Sequence, residues 1–400
     1  MQSKHVSRAD DRGYTIVELL VAMGITLSVL ASALTIVSGF QVGFGTEGER
    51  ADLQQRLRVA VNALSRDLSK AGAGSYQGAR AGPLGFSVAA VFPFRQGATG
   101  ADPPGTVRRD VITMVYVPAQ TAAQATIRQP MPAGSGAALI NLDPGCPLNQ
   151  TTCGFSAGMD VMIYDDTGSY DTFRVLAAQP GLLQLQHTMP DTAQSYRPGA
   201  RIVEATSHTY YLKADAVTDT FQLMHYDGVA SDLAVVDHLV ALALEYFGEP
   251  TPPTLVRPVT DPTGPWTTYG PAPPRLGVSA TAYPPGENCA FQLDASGLQH
   301  VPRLTTLGDG TSTTLVALAD AQLRDGPWCP DDENAHRYDA DLLRIRRVSV
   351  TMRLEAALSA LRGPASALFM RGGTARAASR WAPDQEIRFD MAPKNLNIGR

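Results

Sequence analysis

Residues 1–13, MQSKHVSRADDRG, are polar, and the pattern then changes abruptly: from Leu19 to Thr46 the chain carries no charged side chain. The heart of that stretch, LLVAMGITLSVLASALTIV, rises about 1.5 Å per residue as a helix and is long enough to cross a hydrocarbon layer about 30 Å thick. Lys4, Arg8 and Arg12, partly offset by Asp10 and Asp11, place the polar side in the cytoplasm and send the remainder outward. Gly39, Gly43, Gly45 and Gly48 follow. Each costs a helix about 1 kcal/mol relative to alanine, so a bend or melt is expected there. From Glu49 to Ala71 an amphipathic period takes over. Leu53, Leu57, Val61, Leu64 and Leu68 form one apolar stripe, Arg56, Arg66 and Lys70 are expected on a solvated face, and Gly72 ends the helix.

After Gly74 the period shortens to two. Val111 to Val117, Asp160 to Tyr164, Thr172 to Leu176 and Leu182 to His187 read as strands, each bounded by Gly/Pro turns. Ser207 to Lys213 (SHTYYLK) and Phe221 to Tyr226 read as a hairpin. Val235 to Phe247 fits either a strand or a helix. Leu343 to Leu354 alternates through Ile345, Val348, Val350, Met352 and Leu354, and Glu386 to Met391 forms a final strand. Residues 248–285 are a Pro-rich excursion, read as an insertion, a linker or a binding loop. The fold class is α+β: a long N-terminal helix, transmembrane over 14–40 and amphipathic over 49–71, followed by a large β-rich head over 73–400.

Composition changes this picture little. The 400 residues hold 36 glycines and 29 prolines against 18% charged residues, which favours many turns and short strands over a helical bundle. A net charge of -5 argues against a nucleic-acid binder, since phosphate neutralisation needs a concentrated basic surface. Four cysteines are placed in two groups: Cys146 and Cys153 close the short loop CPLNQTTC, and Cys289 and Cys329 bracket a Gly/Pro-rich stretch. They read as two disulfides with three possible connectivities, local pairing being the simplest. A structural zinc site competes, but no pair has the C-x2-C spacing with which two thiolates grip one ion.

Glu18 decides among the ordinary explanations of the apolar segment, which are a secretory signal, a plain anchor and a buried core helix. A carboxylate at a bilayer centre costs on the order of 3 kcal/mol, less near the interface, so a retained one has a partner. A signal peptide has no use for it, and this run is too long and lacks an A-x-A cleavage site. The string Gly13-Tyr14-Thr15-Ile16-Val17-Glu18-Leu19-Leu20-Val21-Ala22-Met23 resembles the class III leader junction of type IV pilins and type II secretion pseudopilins. Less specifically, QQRLRVAVNALSRDLSKAGAG, TYYL, LMHYDG, VVDHLVALALEYF and the closing APKNLN resemble the PilW branch of the minor pilins, with pseudopilin J a near relative.

The resemblance implies cleavage of leader 1–13 between Gly13 and Tyr14 by a prepilin peptidase, N-methylation of Tyr14, and Glu18 as the fifth mature residue. Tyrosine replaces the usual phenylalanine and keeps the aromatic ring. Cleavage exposes an amine, which the Glu18 carboxylate of a neighbouring subunit can neutralise in low dielectric, setting subunit register. It further implies a non-enzymatic filament subunit that takes part in pilus assembly or initiation. Its partners would be other minor and major pilins and the inner-membrane assembly platform. The head would face the periplasm before incorporation into an extracellular pilus. The alternatives are a minor pseudopilin at the tip of a type II secretion pseudopilus, or a membrane-tethered extracytoplasmic binding or hydrolytic protein.

A search for chemistry gives little. There is no P-loop G-x4-G-K-[ST], H-E-x-x-H or G-x-S-x-G. Gly43 to Gly48 (GFGTEG) formally matches G-x-G-x-x-G, but it follows a membrane-length run instead of a short strand in a βαβ unit. Seven histidines (His5, His187, His208, His225, His238, His300 and His336) lack ligand spacing and read as surface or satisfied strand residues. Asp331, Asp332, Glu333 and Asn334 gather oxygens without a complete calcium loop and read as a solvated acidic turn. Trp266, Tyr269 and Tyr283 in the Pro-rich stretch read as turn aromatics. No cofactor, metal or catalytic residue is assigned.

Overall fold

A computed structural model describes residues 15–73, 89–95, 106–118, 123–141, 151–164, 170–187, 195–215, 220–228, 231–250, 254–255, 292–293, 299–300, 304–306, 314–319, 323, 340–358, 361–362 and 382–396. The architecture is α+β, with a long N-terminal helix leading into a strand-rich head. Helix α1 (Ile16–Lys70) is unbroken over 55 residues. It passes through the glycine-rich stretch where the sequence predicts a bend or melt. Interrupting it there would strand the backbone groups of two new helix ends, whereas each glycine costs only about 1 kcal/mol once the flanking turns are formed.

Thr15 caps the helix. Its side chain accepts from the Glu18 backbone N–H while Glu18 accepts from the Thr15 backbone N–H, a reciprocal capping box. At the other end Gly72 adopts φ 74°, the left-handed conformation that closes a helix, and its N–H donates to the Val115 carbonyl at 3.0 Å.

The two halves of α1 meet different surroundings. Between Ile16 and Val37 the helix is apolar, long enough to cross a membrane, and left uncovered by the described residues. Thr26, Ser28, Ser32 and Thr35 each donate a hydroxyl to a carbonyl one turn earlier, at 2.8–3.0 Å, so these polar groups are satisfied without water. From Glu49 onward the helix is embedded in the head: Leu53, Ala60, Leu64 and Leu68 are fully buried, and Leu57 and Val61 pack beside them.

Strands β1 (Val91–Phe92) and β2 (Thr106–Tyr116) come first. Next come β3 (Gln124–Ile127), β4 (Ala137–Asn141), β5 (Asp160–Tyr164), β6 (Tyr170–Gln179), β7 (Leu182–His187) and β8 (Arg201–Glu204). These six close into a barrel in the order β3-β4-β7-β6-β5-β8. Strands β9 (Thr206–Asp215), β10 (Thr220–Tyr226) and β11 (Asp232–Asp237) rejoin β1 and β2 in the five-stranded antiparallel sheet β1-β2-β9-β10-β11. Because β2 and β9 pair directly, from Tyr116↔Thr206 to Val111↔Tyr211, the barrel is an excursion between two neighbouring strands.

His238, at φ 60°, turns β11 into β12 (Leu239–Gly248), which belongs to a second sheet. The short strands β13 (Thr254–Leu255), β14 (Gln292–Leu293), β15 (Gln299–His300) and β16 (Leu304–Thr306) pair as β13-β16 and β14-β15. Strands β17 (Val316–Leu318), β18 (Ile345–Leu354) and β19 (Gln385–Met391) complete the second sheet, β17-β12-β18-β19. Val235 to Phe247 is therefore strand throughout, apart from the kink at His238, because its register with β18 buries Leu239, Leu242 and Tyr246. Most of the Pro-rich stretch, from residue 256 to 285, lies outside the described residues.

Both sheets and the buried half of α1 share one core. The barrel has its own, built on Ile127, Ile140, Val161, Ile163, Phe173, Leu183, Leu185 and Ile202. Period two assigns alternate residues of β5 to opposite sides: Val161 and Ile163 face the barrel core, while Met162 and Tyr164 join the main one. One wall thus serves two cores.

Candidate functional site

Of the residues marked by the sequence, Glu18 is described in full. Its Oε2 accepts the Thr15 N–H and the Thr15 hydroxyl, both at 2.9 Å. It occupies the first turn of α1, on the stretch that the other described residues leave uncovered. Gly13 and Tyr14 lie outside the described residues, as do Cys146, Cys289 and Cys329 and the acidic run 331–334. Cys153 is buried, disulfide-bonded and held at φ 52°.

A second cluster lies where α1 meets the five-stranded sheet. The apolar stripe of the helix carries one buried acid, Asp67, at 1% exposure. Period two puts His208 and Tyr210 on the same face of β9, and the hairpin register sets His225 of β10 opposite Tyr210. All three face the helix. Tyr210 Oη donates to Asp67 Oδ2 at 2.7 Å. His208 Nδ1 and His225 Nε2 share a hydrogen bond of 2.7 Å, and His208 Nδ1 stands 3.9 Å from Asp67 Oδ2. The ring of Tyr116 stacks on His208, centroids 5.3 Å apart, and Tyr116 Oη reaches Asp67 Oδ1 at 3.5 Å.

Burial governs the electrostatics. It pushes both imidazoles below the ordinary histidine range, and the attraction of Asp67 does not reverse this. Burial, and then the Asp67 charge, push the Tyr116 phenol up to about 12. Tyr210 moves further in the same direction, through burial and its hydrogen bond to Asp67. Two neutral imidazoles and one carboxylate therefore converge under an aromatic cover. His208 and His225 are strand residues with hydrogen-bonded rings, within the expectation from sequence, and the hairpin register also makes them diagonal neighbours. The signal lay in SHTYYLK and LMHY, but only knowledge of the pairing register reveals it.

A polar node fastens the start of the embedded helix. Arg56, expected on a solvated face, has a side chain only 15% exposed. It binds Asp52 at 2.7 Å, Glu49 at 3.2 Å and the Asp237 carbonyl at 3.3 Å, because β11 runs beside it. Glu49 also accepts from the Ala357 N–H. Behind this lies Glu355, fully buried, which takes the Thr220 hydroxyl at 3.0 Å and pairs with Arg362 at 3.3 Å. Arg66 and Lys70 are exposed as expected, at 65% and 46%.

No protein-family model and no curated protein matches this chain.

Proposed function

We propose that the chain is a minor type IV pilin of the PilW kind: a membrane-stored, non-enzymatic subunit that enters a pilus through its N-terminal helix. The carrying observation is the division of labour along α1. One continuous helix is predominantly apolar and left uncovered by the described residues over Ile16–Val37, then anchored in a β-rich head from Glu49 to Lys70. A helix that only tethered a domain would not need rigid continuity into its core, and a buried core helix would not leave this much apolar surface uncovered. Lipid covers that surface before assembly, and neighbouring subunit helices cover it afterwards. Glu18, with the only charged side chain between Ile16 and Val37, lies one turn from the expected cleavage point.

In this reading the head lies in the periplasm until incorporation. The partners are the prepilin peptidase, the assembly platform and other pilins. Mass spectrometry of the purified protein tests the proposal. A mature N-terminus at an N-methylated Tyr14 is the expected result, and an intact or signal-peptidase-cut terminus overturns it.

A further inference from the structure

We infer that Asp67, His208 and His225 form a binding site for a divalent transition-metal ion, zinc by donor chemistry, which fastens the spine helix to the central hairpin of the sheet. Among the described residues this is the one group of three or more potential ligands that converge, with one donor atom from each lying within 4.8 Å of the others. The three come from α1, β9 and β10, so an ion would reinforce a joint that the Tyr210–Asp67 hydrogen bond and the β9–β10 ladder already hold in register.

The donor set is selective. Two imidazole nitrogens and one carboxylate oxygen suit zinc and its neighbours in the first transition row, whereas calcium and magnesium demand oxygen shells. The spacing is close to what such an ion needs. Tetrahedral coordination at about 2.1 Å sets donor atoms about 3.4 Å apart. The imidazole nitrogens are at 2.7 Å, His208 to Asp67 is at 3.9 Å and all three donors lie within 4.8 Å, so side-chain shifts on the order of 1 Å complete the site.

The short His208–His225 contact aims one ring nitrogen of each imidazole at the same point. Whichever imidazole donates there transfers its proton to its own outer ring nitrogen, and both inner lone pairs then face the ion. Tyr210 already orients the carboxylate through Oδ2, as supporting residues do around metal ligands. His208 remains 21% exposed, leaving an approach for the ion and for a water in the fourth position. Arg66 and Lys70 lie 3.5 Å and 4.0 Å from Asp67 Oδ1 and oppose a cation, but both are largely solvated and screened.

The test uses the full chain in detergent, stripped with a chelator and titrated with Co2+ and then Zn2+. The expected result is a one-to-one Co2+ complex with tetrahedral visible absorption that Zn2+ displaces, together with a rise in Tm. His208→Gln and His225→Gln retain hydrogen-bonding capacity and should each weaken binding by at least about tenfold. Should a variant fail to fold, X-ray absorption on the loaded wild type decides, with two imidazoles in the shell expected. Absence of a saturable complex, sulfur or a single imidazole in the shell, or unchanged affinity in folded variants overturns the site.

Discussion

The Tyr210 hydroxyl donates to Asp67 Oδ2 at 2.7 Å, joining β9 to the spine helix across 143 positions of sequence. Asp67 interrupts the apolar stripe of that helix, and its burial is compensated by hydrogen bonds from Tyr210 and Tyr116 and by the nearby Arg66 and Lys70 cations. Tyr210→Phe removes the better donor without leaving a cavity. It should lower unfolding stability by about 1.5–3 kcal/mol, the usual range for a hydrogen bond to a charged group. Tyr116→Phe, whose contact is 3.5 Å long, should cost clearly less. Urea unfolding followed by far-UV circular dichroism measures both, and equal losses would show that the hydrogen bond does not carry the effect.

Gly72 presents a different constraint. Its φ of 74° is strained for any side chain, and a Cβ there would meet Leu396 Cδ2 at 2.8 Å. Gly72→Ala should therefore destabilise by at least about 1–2 kcal/mol from the backbone alone, with a further loss as Leu396 is displaced. A rise or no change in Tm would contradict this account of the helix end.

Much of this fold was legible because one face of each element is apolar. The membrane-length run, the Leu53–Leu68 stripe and the strands at 160–164 and 182–187 all follow from period, and each is present. The barrel was not legible. Its strands read as ordinary alternation, and nothing local specifies that β2 should pair with β9 across some ninety residues while the strands between them close on themselves. The polar clusters failed for a related reason. Asp67, Glu49 and Arg56 look like helix surface in sequence, and only the partners that the sheets bring to them explain their burial. His208 and His225 become neighbours through hairpin register, which spacing along the chain does not encode.

The Glu355–Arg362 pair is buried at the joint between the two sheets, with side-chain exposures of 0% and 7%. Removing one member leaves the other charge in low dielectric. Arg362→Ala should cost about 3–5 kcal/mol, whereas replacing both residues by apolar ones of similar volume should cost much less. Thermal unfolding of the single and double variants checks this, and additive losses would contradict it.

Asp384 supplies a pH dependence. Burial pushes its carboxyl up to about 6 from an ordinary 3.8, outweighing the attraction of Arg353 at 3.4 Å. The folded state therefore holds this proton more tightly than the unfolded chain. The resulting stabilisation is complete below about pH 4 and disappears as pH rises through about 6. Over that window Asp384 should contribute a falling slope of up to about 1.4 kcal/mol per pH unit. Asp384→Asn should abolish it, as urea unfolding between pH 4 and 8 would reveal. An unchanged slope in the variant would assign the dependence to other groups.

Glu18 has two possible tasks, and one pair of variants separates them. Its carboxylate closes the capping box with Thr15, and in the proposed pilin it also neutralises a neighbouring N-terminal amine. Glutamine at position 18 can still complete the box but carries no charge. Valine at position 15 removes the capping hydroxyl, at a cost of about 1 kcal/mol, yet leaves the acid in place. If charge pairing drives assembly, Glu18→Gln should insert in the membrane normally and be depleted from sheared filaments, while Thr15→Val should be incorporated close to the wild-type level. Quantitative immunoblotting of membrane and filament fractions measures both steps. The reverse pattern would mean that helix capping, and not the amine, is what the carboxylate serves.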